Sequence, residues 1–275
     1  MGPSVTAPAK LRLDGVAKRF PVAGGPDTVA VEAFSLDVRQ GEFLVIVGPS
    51  GCGKTTVLNL LAGLELPTSG TLAIDGRAIA APGADRGVMF QDYALFPWRT
   101  VWGNVEYGLV YGPAGRGLDR AARDARVRHY VDLVGLTGSE NKYPHQLSGG
   151  MRQRVALARL MANEPEVLLM DEPLAALDAQ TRLILQDELL RIWGQDRPAE
   201  ARRTVVFITH AIDEAVFLAD RVAVMTSHPG RLKALLDVPL ARPRNDMTRT
   251  HPDFQALAQH IWGLIRDEAY RATVT

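Results

Sequence analysis

The feature that most constrains the fold of this chain is a glycine-rich segment at residues 48–56. It reads Gly48-Pro49-Ser50-Gly51-Cys52-Gly53-Lys54-Thr55-Thr56 and matches the phosphate-loop pattern G-x-x-x-x-G-K-[ST]. A β-branched apolar run precedes it, and a run with helical spacing follows it. These runs predict a strand, an anion-binding loop and a helix whose positive N-terminal end faces a phosphate. We expect Lys54 to reach the outer phosphates of a nucleoside triphosphate and Thr55 to ligate Mg²⁺.

Charge and cysteine content limit the class of protein. Lys+Arg and Asp+Glu both total 31 in 275 residues, so the formal net charge is zero. A chain without a broad basic field is not expected to bind nucleic acid. Its one cysteine, Cys52, excludes an internal disulfide framework and indicates a reducing compartment. The apolar runs fall far short of the about 20 residues that cross a bilayer, and no secretory leader is visible, so we expect a soluble or peripheral protein.

The spacing of apolar residues divides the chain into segments of different character. Between residues 11 and 75, short alternating apolar segments separated by glycine-rich turns predict an antiparallel sheet. Residues 92–161 are more charged and show helical spacing. Compact apolar runs at 167–170, 204–208 and 221–225 predict buried strands. Because helical segments lie between these runs, we expect a largely parallel sheet covered by helices.

These segments predict the domain organisation. We expect a flexible tail at 1–9, one main domain at 10–245 with a helical part at about 92–162, and a helical extension at 246–275. In the extension, six apolar side chains fall on one helical face: Phe254, Leu257, Ala258, Ile261, Leu264 and Ile265. We expect this face to pack on its own domain rather than on a membrane or a partner.

Two adjacent carboxylates follow the apolar run at 167–170. A buried strand that ends in Asp171 would deliver a carboxylate to the Mg²⁺ of a bound nucleotide. Glu172 would then lie where a general base could polarise water for attack on the γ-phosphate. Alone, such a pair is typical of a helix cap or a turn. Together with Lys54 and Thr55, it favours nucleotide hydrolysis.

A second helix start with anion-binding character lies at residues 147–151, Leu-Ser-Gly-Gly-Met. Ser148 has the chemistry of an N-cap, and Gly149 and Gly150 permit close approach to the backbone. A plain capped helix is the alternative. Since one chain has only one triphosphate pocket, the two helix starts suggest a head-to-tail dimer in which residues 148–150 of each chain close on the nucleotide of the other.

The phosphate loop, residues 147–151, Asp171 and Glu172 follow one another in an order and approximate spacing that resemble the nucleotide-binding subunit of an ATP-binding cassette (ABC) transporter. The resemblance covers nearly the whole chain. It implies an α/β fold: a P-loop NTPase core of the ABC ATPase type, with an antiparallel β subdomain and a helical insert that carries the signature motif. It also implies ATP and Mg²⁺ as ligands.

The resemblance implies roles for four further residues. Gln91 matches the glutamine that contacts Mg²⁺ and senses the membrane subunit, and His210 matches the histidine that holds the γ-phosphate and the attacking water. Asp178 lies in the loop that joins the two chains. Phe20 matches the aromatic residue that stacks on adenine, although a single phenylalanine at a strand end is usually part of a core.

Two positions depart from the family pattern. Met151 replaces the usual glutamine of the signature, and Leu174-Ala175 stands where one importer branch more often has Phe-Gly. Neither change removes a group with a chemical role, so hydrolysis remains expected.

The motifs also indicate the kind of ABC protein. With one cassette, a short insert between Gln91 and residue 147 and no membrane span, the chain resembles the separate ATPase subunit of an importer. Residues 83–92, 95–98, 185–193 and 209–217 resemble the nitrate/sulfonate/taurine branch. Trp98 lies where the family receives the membrane subunit, although a core role is equally compatible with the sequence.

The resemblance implies a working context. We expect a homodimer on the cytoplasmic face of the inner (plasma) membrane, bound peripherally to transmembrane permease subunits and served indirectly by an extracytoplasmic solute-binding protein. The alternative is a soluble ABC-type ATPase that acts as a mechanical switch without a transporter. A small-molecule kinase is more distant, because it would not need residues 148–150.

Overall fold

A computed structural model describes residues 9–175 and 177–274 of the chain, with side chains as far as Glu268. Most of the predicted tail at 1–9, and Ala176 in the predicted chain-joining loop, lie outside the described residues. The last residue of that predicted tail, Ala9, begins the first strand.

Strands and helices follow one another along the chain in an α/β order. The strands are β1 (Ala9–Phe20), β2 (Thr28–Arg39), β3 (Phe43–Val47), β4 (Ser69–Ile74), β5 (Arg77–Ala78), β6 (Arg86–Met89), β7 (Val167–Asp171), β8 (Thr204–Ile208), β9 (Arg221–Met225) and β10 (Leu232–Asp237). The helices are α1 (Lys54–Ala62), α2 (Val101–Tyr111), α3 (Arg120–Leu133), α4 (Gly149–Ala162), α5 (Ala179–Trp193), α6 (Ile212–Leu218) and α7 (Pro252–Val274). Short 3₁₀ helices occupy Pro113–Gly115, Pro144–Gln146, Ala199–Ala201 and Asp246–Thr250.

The main sheet has six strands in the order β10-β9-β3-β8-β7-β6. Its strands are parallel except for the edge strand β10, which runs antiparallel to β9. Every residue of β3, β7, β8 and β9 is buried, because helices cover both faces and leave no strand face to solvent. The prediction of a largely parallel, helix-covered sheet is confirmed.

The predicted antiparallel sheet is also confirmed, with the order β2-β1-β4-β5. Its inner face carries alternating apolar residues such as Leu11, Leu13 and Phe34, which are at most 2% exposed. They pack with apolar residues of α1 in a second hydrophobic core. This sheet therefore supports the helix that follows the phosphate loop.

The helical part consists of α2, α3 and α4, which pack against one another. Its first helix begins at Val101 rather than at residue 92, because Thr100 caps it by accepting a hydrogen bond from the Gly103 amide. The preceding segment is a loop held by the fully buried Asn104, whose side chain bonds the backbone of Phe96, Arg99 and Thr100.

The C-terminal helix α7 packs on the rest of the chain through α6 and β9. Phe254, Ala258 and Ile261 join the main hydrophobic core, while Leu257, Leu264 and Ile265 pack partly buried against it. The predicted apolar face therefore contacts its own domain. The division of the chain at residue 246 stays a prediction.

Candidate functional site

The phosphate loop connects β3 to α1 in a conformation that requires its glycines. Gly51 and Gly53 have φ values of +74° and +95°, which other residues rarely adopt. A Cβ on Gly53 would lie 2.6 Å from the Ala30 carbonyl oxygen, and one on Gly48 would lie 2.9 Å from Cys52 Sγ. The loop therefore folds tightly in front of the α1 N-terminus, where helix geometry favours an anion.

Lys54 lies within the curve of this loop. Its ammonium group donates hydrogen bonds of 2.9 Å to the carbonyl oxygens of Gly48 and Pro49, and the residue is 7% exposed. The neighbouring Cys52 side chain is buried, and this burial raises the pKa of its thiol. The loop therefore holds a positive charge in place, with Cys52 packed as a small apolar side chain.

Thr55 and Asp171 come together although they are far apart in sequence. Asp171 ends β7 and is 8% exposed, and burial raises the pKa of its carboxyl despite a hydrogen bond with the Thr55 side chain. Such a carboxylate gains from a nearby cation, and hydroxyl and carboxylate oxygens are ligands that suit Mg²⁺. The side chains described through Glu268 include no cluster of three or more His, Cys, Asp or Glu that could hold a metal. Thr55 and Asp171 are therefore two oxygen donors that could hold such an ion.

Glu172 and His210 face each other across the ends of β7 and β8. The two strands are parallel neighbours, with Asp171 paired to Ile208. The Glu172 amide donates to the Ile208 carbonyl at 3.0 Å, and its φ of +45° turns the chain away from the strand. The Glu172 carboxylate then lies 3.3 Å from His210 Nδ1, with the two side chains 22% and 61% exposed.

Gln91 lies at the same end of the sheet, where the carboxyl ends of β6, β7 and β8 lie side by side. It follows β6, whose residue Met89 pairs with Met170 of β7, and it is exposed. Two and three residues later, Tyr93 and Ala94 have φ values of +62° and +43°. Arg159 of α4 donates hydrogen bonds of 2.7 Å to the carbonyl oxygens of both.

Arg159, which anchors the segment after Gln91, was not predicted from the sequence. Its sequence signal is its position four residues after the buried Val155, a charged side chain on the apolar face of a helix. Its guanidinium also lies 5.6 Å from the Phe96 ring centroid. Arg159 therefore ties the helix that starts at the signature to the segment that follows Gln91.

The signature motif, residues 147–151, includes the N-cap and the first residues of α4. Ser148 is its N-cap, is exposed, and accepts a 3.3 Å hydrogen bond from the Met151 amide. A Cβ on Gly149 would meet no atom within 4 Å, whereas one on Gly150 would lie 3.0 Å from Thr181 Cγ2. Gly150 therefore permits close packing on α5, and Gly149 leaves the helix start open to approach.

The loop before α5 is brought next to the signature. Asp178 is exposed and caps α5 by accepting a 2.9 Å hydrogen bond from the Thr181 amide, which lowers the pKa of its carboxyl. Leu177, beside it, is 3.8 Å from the Cβ position of Gly150. The two helices that follow the phosphate loop and the signature belong to different hydrophobic cores. Apolar residues of α4 lie in the main core, whereas those of α1 lie in the second core, under the antiparallel sheet.

Packing explains in part why Phe20 and Met151 occupy their positions. Phe20 ends β1, is half-buried against the core of the antiparallel sheet, and has the Lys18 ammonium 4.9 Å from its ring centroid. Met151 packs against the main hydrophobic core, where a thioether suits an apolar contact better than an amide. Leu174, the other departure, is 2% exposed.

None of the described helices combines the length and the apolar character that crossing a bilayer requires.

Several known proteins are similar to this chain in sequence or in structure. Residues 31–175 match the family model described as ABC transporter. The chain is 49% identical to the nitrate import ATP-binding protein NrtD of Synechococcus elongatus, over 85% of this chain and 83% of that protein. It is 42% identical to the taurine import ATP-binding protein TauB of Roseobacter denitrificans, over 94% of each.

A solved structure is also similar. It is a dimeric post-hydrolysis state of the ATP-binding cassette MJ0796 bound to ADP and Pi. The TM-score is 0.72 at 31% identity, over 83% of this chain and 98% of that chain.

Proposed function

Because this chain belongs to the ABC transporter family, we propose that it is the ATP-hydrolysing subunit of an importer that takes up a small anion or sulfonate-like solute through a separate permease. The observation that carries the proposal is the convergence of Lys54, Thr55, Asp171, Glu172 and His210 at one edge of the main sheet. Relatives named for nitrate and taurine import support the solute class.

The site residues would divide the work of hydrolysis. The Lys54 ammonium and the loop amides neutralise the triphosphate, with the adenine stacked on Phe20. Thr55, Asp171 and Gln91 would hold Mg²⁺, which when bound neutralises charge on the phosphate oxygens. Glu172 accepts a proton from water as the water oxygen bonds to the γ-phosphorus and the bond from that phosphorus to the ADP oxygen breaks. His210, 3.3 Å from Glu172, orients that water and the γ-phosphate.

The second half of the nucleotide site would come from another copy of the chain. Ser148 and Gly149 are open at the start of α4, and the similar MJ0796 cassette is dimeric with ADP and Pi bound. A helix start with a free N-terminal end suits the γ-phosphate of a neighbouring chain. Asp178, beside the signature, would lie at the junction of the two chains.

A groove of about 800 Å³ supports contact with the permease. It lies between the edge strand β6 and the helices α2 and α4, and its walls include Phe90, Phe96 and Tyr107. Trp98, 71% exposed, has its ring 5.7 Å from that of Phe96, which is itself 4.4 Å from Tyr107. Exposed aromatic residues beside an apolar groove are typical of a protein interface. The subunit would thereby be held peripherally at the cytoplasmic face, with an extracytoplasmic binding protein delivering solute to the permease.

The test is co-purification from the native membrane, followed by reconstitution with the permease recovered and a solute-binding protein. We expect recovery with a multi-span protein and ATP hydrolysis stimulated by one of nitrate, taurine or an alkanesulfonate. Trp98→Ala should abolish both, and Trp262→Ala on α7, also an exposed tryptophan at 53%, should abolish neither. Full hydrolysis by a subunit that binds no multi-span protein would contradict the proposal and favour a soluble switch.

A further inference from the structure

A buried carboxylate lies behind His210. Glu214 of α6 is 4% exposed and accepts a 2.9 Å hydrogen bond from the side-chain amide of Gln186 on α5. It also forms a hydrogen bond with the Thr209 side chain. A buried carboxylate without such donors would be strongly destabilising, so these contacts fix where Glu214 lies.

The Thr209 hydroxyl shapes the turn that carries His210. Thr209 is 3% exposed, and its Oγ1 accepts a 3.0 Å hydrogen bond from the Ala211 amide while donating its proton to Glu214. The two bonds close the backbone around the residue between them, His210. Because the His210 side chain is 61% exposed, its direction depends on this backbone turn more than on side-chain packing.

The C-terminal segment reaches the same group of residues. Arg249, in the 3₁₀ helix Asp246–Thr250, donates a 2.7 Å hydrogen bond to Gln186 Oε1. Its guanidinium carbon lies 3.6 Å from the ring centroid of Phe217, which is fully buried. The Gln186 amide thus accepts a hydrogen bond from the Arg249 guanidinium through its oxygen and donates one to the Glu214 carboxyl through its nitrogen.

We propose that the hydrogen-bonded chain Arg249–Gln186–Glu214–Thr209 holds His210 against Glu172, so that Thr209 and Glu214 are positioning residues for ATP hydrolysis. Arg249 is then the point at which the C-terminal segment acts on the site. This inference rests on the proposed function, because it assumes that His210 orients the water which Glu172 activates. It extends the site to residues 39 positions beyond His210, counted as 249 − 210.

The test compares two buried threonines, Thr204 at the start of β8 and Thr209 directly after its end. Thr209→Val removes the hydroxyl at the site, and Thr204→Val removes one that accepts a 3.0 Å hydrogen bond from the Gly41 amide. We expect Thr209→Val to lower kcat by about tenfold to a hundredfold, since small displacements of reacting groups have effects of this size. Its KM for ATP and its melting temperature should match those of Thr204→Val, and Thr209→Ser should restore kcat.

A second variant keeps the test decisive if Thr209→Val folds poorly. Arg249→Met, at a partly exposed residue, should lower kcat by about threefold to tenfold through loss of one charge-assisted hydrogen bond. Arg266→Met is the matched control, because Arg266 lies over the exposed Trp262 on α7. Normal kcat in Arg249→Met and Thr209→Val, or a loss of ATP affinity as large as the loss of kcat, would overturn the inference.

His210→Ala separates the inference from the proposed function. If His210→Ala hydrolyses ATP at the wild-type rate, the assignment of His210 fails and the inference fails with it. If His210→Ala is inactive while Thr209→Val and Arg249→Met are fully active, the inference alone fails.

Discussion

Glu172 combines two properties that a residue at the end of a buried strand seldom has. Its backbone lies in the left-handed region at φ +45°, and its carboxylate lies 3.3 Å from the His210 imidazole. A left-handed conformation in a non-glycine residue costs about 1–3 kcal/mol and tends to occur where function requires it. The turn carries the Glu172 carboxylate beyond the carboxyl ends of the parallel strands, which is the end of the sheet where the phosphate loop follows β3.

Glu172→Gln tests the chemical role of that carboxylate. An amide has nearly the same shape but cannot take a proton from water, so kcat should fall by at least about a hundredfold. ATP affinity, measured by titration with a fluorescent nucleotide, should change little because Lys54 and the loop are intact. Glu200→Gln, at an exposed carboxylate in the 3₁₀ helix just before β8, at the opposite end of that strand from the site, is the control. Turnover of Glu172→Gln equal to that of the control would remove Glu172 from the base role.

At the residue scale, a site residue could be predicted from the sequence when it belongs to a local sequence pattern. Lys54 and Thr55 were predictable because they belong to one contiguous pattern, and Asp171 because it ends an apolar run. Arg159 and Glu214 were not predicted, since their partners are 66 and 28 positions away along the chain. Such pairings arise from tertiary packing, for which the local pattern gives no signal.

At the scale of elements, three interior strands of the main sheet could be predicted from their apolar runs alone. The runs that form β7, β8 and β9 are apolar throughout because both faces are covered, and their predicted bounds agree with the structure to within one residue. The antiparallel edge strand β10 was not predicted, because most of its residues are only half-buried. The loop before α2 was included in a helical stretch, since its anchors on Asn104 and Arg159 come from outside the segment.

The helix α7 is fixed to the sheet by a buried acid. Glu268 accepts hydrogen bonds from Lys233 of β10 at 2.7 Å and from the Ser227 amide at 3.0 Å. Burial acts to raise the pKa of its carboxyl, but the bonds from Lys233 and Ser227 outweigh it and leave the pKa below its ordinary value of 4.5. The ionised form therefore stabilises the folded state.

Glu268→Gln should be destabilising in a pH-dependent way. Because the folded pKa is lowered, the contribution of the carboxylate is present above about pH 4.5 and is lost as the pH falls through the folded value. At pH 7 we expect a loss of about 1 kcal/mol, which lowers the melting temperature by about 2–4 °C. Thermal unfolding of both proteins at several pH values checks this. An equal difference at pH 7 and pH 3.5 would contradict the role of charge.

At the scale of the whole molecule, one copy of the chain would supply only part of each nucleotide site. Helix starts suited to phosphate lie on α1 and α4, whose apolar residues belong to different hydrophobic cores. The zero net charge gives no long-range field to draw a second copy, so association would depend on the nucleotide itself. ATP would then join the two chains, and its hydrolysis would release them.

Nucleotide-driven dimerisation tests this account most directly. Sedimentation of Glu172→Gln with ATP and Mg²⁺ should show a dimer, because bound ATP is not consumed, and a monomer with ADP. Adding Ser148→Arg, which places a long side chain at the open start of α4, should leave a monomer that still binds ATP through Lys54. A monomeric Glu172→Gln at saturating ATP, or a dimer that forms equally well with Ser148→Arg, would contradict the shared site.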